Sequence, residues 1–69
     1  MTATRFTFDR LAAAAEREVR FRERVYAGRV QAGKMSREKA AEETAMMKAI
    51  AEHLRAQAER DSLFGSMPR

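Results

Sequence analysis

The sequence has no cysteine and no tryptophan, and its 69 residues include one histidine, one proline and three glycines. Without cysteine there are no disulfides, so a chain this short must find its stability in burial and, failing that, in association. The lack is compatible with the cytosol but does not establish it. The single histidine makes a weak case for a metal. A Glu-x-x-His pair of the kind used in di-iron bundles would need an acid where Ile50 stands, and Glu52 points to a different helix face from His53. Ser36, Ser62 and Ser66 have no histidine and acid nearby in a triad pattern, and no glycine-rich loop joins a strand to a helix. The expectation is a protein that is not an enzyme and carries no cofactor and no metal.

Long apolar runs are missing as well. No stretch approaches the roughly 20 residues of a membrane span. At the N-terminus Phe6, Phe8 and Leu11 are interrupted by Thr7, Asp9 and Arg10, which is not a signal-peptide design. An amphipathic membrane-surface role is disfavoured too, because the apolar positions are rich in alanine. A soluble, cytoplasmic chain with no membrane partner is expected.

What the sequence does contain is helix-forming pattern on both sides of a stop. The composition is 45% hydrophobic and 35% charged, that of a folding chain, with much of the apolar share in alanine. The stretch Ala32-Gly33-Lys34-Met35-Ser36 pairs a glycine suited to closing a helix end with a serine suited to capping the next one. A stop followed so closely by a start turns the chain back on itself. The sequence therefore predicts an all-α antiparallel two-helix hairpin, with helices at about 8–32 and 37–60 and a turn at 33–36. Residues 1–7 are expected to form a flexible lead-in, with Thr7 capping the first helix, and 61–69 a flexible tail in which Leu63 and Phe64 are placed to fold back over Phe6 and Phe8.

At 100° per residue, Phe8, Leu11, Ala12, Ala15, Val19, Tyr26 and Val30 share one side of the first helix. Ala40, Thr44, Met47, Ala51, Leu54 and Ala58 do so on the second. Gly28 lowers helix propensity by up to about 1 kcal/mol relative to alanine and leaves room for another backbone. With the tip near Lys34, Val19 should meet Ile50, Ala15 should meet Leu54 and Leu11 should meet Ala58. Tyr26 should meet Glu43, giving a polar cluster of Arg22, Tyr26 and Glu43 at the seam that orients the helices.

Two sets of residues remain for partners. Phe21 and Val25 on the first helix, with Met46 and Ile50 on the second, fall on a flank that one hairpin cannot cover. They are the expected interface of a homodimeric four-helix bundle or, failing that, of an adaptor docking on another protein. Basic residues outnumber acidic ones by 14 to 10, which raises nucleic acid as an alternative partner. Arg17, Arg20 and Arg24 are its candidate contacts. Against this, acids and bases are interleaved, Glu16 and Glu23 are expected on the same outer face, and Glu16 lies at helical pairing distance from Arg20. The turn also lacks the context of a DNA-reading helix-turn-helix. An interaction protein is therefore the favoured expectation.

One pattern reaches further. Arg24-Val25-Tyr26, then Val30-x-Ala32-Gly33-Lys34-Met35-Ser36 and Glu43-x-x-x-Met47-x-Ala49-Ile50, resembles a group of small uncharacterised proteins encoded in bacteriophage and prophage genomes. The resemblance covers about 18–54. It departs at Ala27, where those relatives tend to carry proline after the tyrosine. It implies an accessory role in binding a host or phage macromolecule and transfers no functional residue.

Overall fold

The structure is a computed structural model that describes residues 5–65, with side chains through Asp61. It consists of α1, Phe8–Gln31, and α2, Arg37–Gly65, packed against each other as an antiparallel hairpin with no strand among the described residues. The molecule is a rod of 56 × 19 × 18 Å.

Both ends of α1 and the start of α2 are closed by the residues the sequence offers for them. Thr7 has extended backbone and its hydroxyl accepts from the Arg10 N–H at 3.1 Å, while its carbonyl accepts from Leu11. Asp9 places negative charge in the first turn, where the helix dipole favours it. At the other end Gly33 takes φ 74°, and the Lys34 and Gly33 N–H groups donate to the carbonyls of Arg29 and Val30 at 2.8 and 3.0 Å. This crossed pair is the Schellman arrangement, which needs a residue in the left-handed region at the position Gly33 occupies. Ser36 then starts α2, its hydroxyl accepting from the Lys39 N–H at 3.0 Å.

α2 is longer than expected. It runs past Arg60 to Gly65, so Arg60 lies inside the helix and its last turn holds no basic residue. Nothing in Asp61-Ser62-Leu63-Phe64 forbids helix, and continuing adds one hydrogen bond per residue once a helix exists. The expected tail therefore begins later than Asp61. The proposed return of Leu63 and Phe64 over the open end concerns side chains outside the described residues, as do residues 1–4 and 66–69.

The seam is built from small side chains. Ala12, Ala15 and Val19 of α1 and Ala51 and Ala58 of α2 are the buried apolar residues, and none is larger than valine. Ala15, Val19 and Ala51 form one cluster, with Met47 and Leu54 packed against it half-buried. The expected facing of Val19 with Ile50 is corrected: Ala51 opposes Val19, while Ile50 is 51% exposed. Alanine lets the two backbones come together, and the helical step then carries the neighbouring Ile50 about 100° out of the seam.

Candidate interaction surfaces

The two sides of the hairpin are held differently. On one side, ion pairs cross from helix to helix. Arg55 grips Glu16 with two parallel hydrogen bonds, Nε to Oε2 and Nη2 to Oε1, both 3.0 Å, and its Nη1 reaches Asp9 Oδ1 at 2.8 Å. Two turns nearer the bend of the hairpin, Lys48 Nζ lies 3.4 Å from Glu23 Oε2. The guanidinium of Arg55 holds the Glu16 carboxyl below the usual carboxylate range, chiefly through those hydrogen bonds. The acids in turn push Arg55 up. The sequence reading missed this clamp, because its partners lie 39 and 46 residues apart and only the antiparallel register brings them together.

On the opposite side, the ion pairs among the described residues stay within single helices. Arg22 donates to Glu18 at 2.8 Å, and Lys39 approaches Glu43 at 3.3 Å, both at i, i+4 spacing. The expected polar cluster is only partly assembled. Tyr26 is close enough to Arg22 to favour its charged form, after the larger contribution of Glu18, whereas Glu43 pairs with Lys39 of its own helix. No polar or charged side chain is buried among the described residues, so the seam has no buried carboxylate to satisfy.

It is on this second side that apolar surface is left over. Phe21 is 52% exposed, Met46 49% and Ile50 51%, and Val25 is half-buried. Phe21 and Val25 are one turn apart on α1, and Met46 and Ile50 one turn apart on α2, so each pair makes a short ridge beside the seam. Met47 and Leu54 continue the apolar surface inward from these ridges. The structure thus places all four expected interface residues on the side that no cross-helix ion pair closes.

Four of the arginines of α1 occupy a third surface, facing away from α2. Arg10, Arg17, Arg20 and Arg24 are exposed. Arg10 lies over the Phe6 ring at 5.4 Å, with Arg5 over the same ring at 5.1 Å. Glu16 and Glu23, expected to share this face and blunt its charge, are turned into the cross-helix pairs instead. His53 is exposed, and no group of three or more His, Cys, Asp or Glu side chains that could hold a metal ion occurs among the described residues. No described helix is long and apolar enough to cross a membrane. Comparison with known proteins found no protein family, no curated protein and no solved structure that matches this chain.

Proposed function

We propose that this chain is a non-enzymatic interaction protein that pairs with a second copy of itself, through Phe21, Val25, Met46 and Ile50, into a four-helix bundle. The observation that carries the proposal is the exposed apolar flank on the side free of cross-helix ion pairs. A core of alanines and one valine gives a second reason, since it offers little burial to set against the entropy of ordering two long helices. Two-fold pairing would bring the ridges of one hairpin against those of its copy, in the manner of a self-complementary patch. A phage or prophage origin belongs to the same proposal, and a bundle of this kind would act there by presenting its outer faces to a host or phage macromolecule.

Light scattering on a sizing column tests it. The expected mass is near 16 kDa, twice the 7.9 kDa chain, and constant over a wide concentration range. The substitution Ile50→Asp should shift the mass toward that of one chain and lower the helix content, because it puts a charge at the centre of the flank. A wild-type mass near 8 kDa at all concentrations would sink the homodimer and leave the flank for a different protein.

A further inference from the structure

We propose a second, separate binding surface: the row Arg10, Arg17, Arg20 and Arg24 on the outer face of α1 takes the phosphodiester backbone of a nucleic-acid duplex, without preference for sequence. The case begins with where the acids of α1 go. Asp9 and Glu16 are held by Arg55, Glu18 by Arg22 and Glu23 by Lys48. Glu16, Glu18 and Glu23 are thereby drawn toward the seam or its edges, while the exposed Asp9 stays beside Arg10 at the start of the row. Among the described residues, Arg17, Arg20 and Arg24 make no ion pair and no hydrogen bond. Arg20 acts on Glu16 only as a more distant charge. The outward sector of α1 is left with arginine as its charged residue, beside Ala13, Ala14 and Gly28.

Geometry makes this a track rather than a scatter. Arg10, Arg17 and Arg24 recur every seven residues, two helical turns, which sets them about 10 Å apart along a row about 21 Å long. Arg20 flanks the row one turn from both Arg17 and Arg24. Guanidinium is permanently charged, weakly hydrated and matched to two phosphate oxygens at once.

The alternatives to nucleic acid fit less well. An anionic membrane would need several apolar side chains between the arginines to enter the acyl boundary, and the sector offers alanine, glycine and the single aromatic Phe21. An acidic protein would need a packed apolar anchor at the centre of the contact, and the row has none. The row points away from α2 and does not use Val25, Met46 or Ile50; Phe21 of the proposed pairing flank borders it, one turn from both Arg17 and Arg24.

The experiment titrates the whole chain against a labelled 20-base-pair DNA duplex and an RNA duplex of the same sequence, at salt concentrations from 50 to 200 mM. Four neutralised phosphates predict a slope of log affinity on log salt of about −3 to −4 per row, a loss of about a hundredfold over that range. Binding of either duplex with that slope supports the proposal, and the tighter arm identifies the source. The variant R17A/R20A/R24A should flatten the slope by about 3. Its sites are exposed helix positions where alanine is the better helix former, so circular dichroism should be unchanged. A control of equal charge, K34A/R37A/R60A, should bind like the wild type. No duplex binding at 50 mM salt, a wild-type slope flatter than −1, or equal loss in the control would overturn the assignment. So would binding to polyglutamate, or to phosphatidylserine vesicles, as tight as to duplex.

Discussion

Gly28 and Gly33 are five residues apart and experience opposite constraints. Gly33 sits at φ 74° and completes the Schellman closure, a backbone shape that disfavours any side chain. Gly28 lies inside α1 with ordinary helical backbone, and a Cβ added there would meet nothing within 4 Å. Alanine at the two sites should therefore act in opposite directions. Gly33→Ala should destabilise by about 1–2 kcal/mol through left-handed strain. Gly28→Ala should stabilise by about 0.5–1 kcal/mol by lowering the entropy of the unfolded chain. Thermal or urea unfolding of the two variants checks both signs. A destabilising Gly28→Ala would show that another backbone approaches this site in solution, the role that the sequence pattern suggested for it. Only Gly33 could be assigned from sequence, because Lys34-Met35-Ser36 follows it with a helix start; Gly28 has no such neighbour.

Between the helices, small side chains set the distance. Ala12 is fully buried and Ala15, Ala51 and Ala58 nearly so. The expected consequence is intolerance of bulk where bulk usually helps. Ala12→Leu should lower stability by about 1–3 kcal/mol by wedging the helices apart, although leucine is both apolar and helix-forming. A stabilised variant in the same unfolding assay would mean that the seam is looser than its burial indicates. At this scale the sequence was informative about which faces meet, since the stripe positions Ala51 and Ala58 are buried and Thr44, Met47 and Leu54 half-buried. It was less informative about which residue opposes which. Ile50 outranks Ala51 in hydrophobicity, so pairing by apolar size selects Ile50, while close approach of two backbones selects Ala51. The end of α2 was illegible for a related reason: the apolar period is lost after Arg60 and Gly65 and Pro68 follow, yet 61–64 themselves hold no glycine or proline to stop a helix.

Across the whole molecule, Arg55 of α2 ties the two helices together through acids of α1. Its grip on Glu16 gives a pH dependence with a definite sign. The Glu16 carboxyl is lowered in the folded chain, so the stabilisation is complete above its ordinary value of 4.5 and is lost as pH falls through the depressed one. Arg55→Gln should therefore be less stable than wild type at neutral pH, and the two unfolding midpoints should converge as pH falls through the depressed Glu16 value. Midpoints that stay apart in acid would assign the effect to packing of the Arg55 stem. High salt should narrow the gap at neutral pH, since these groups are in contact with solvent. No spacing rule in the sequence points to this clamp, because residues so far apart become neighbours only once the turn at Gly33 has set the register.

The smoothness of the alanine seam has a mechanical consequence. Interlocking large side chains would hold two helices in register along their whole length, but a seam of alanines has few steps to resist sliding. Here the register is held at discrete places: the short turn at one end, Lys48 with Glu23 part-way along, and Arg55 with Asp9 and Glu16 toward the other end. The hairpin is thus a sprung clip, with the turn as its bend and Arg55 as its catch. Releasing the catch would let the two arms part from the free end inward while the bend stays closed.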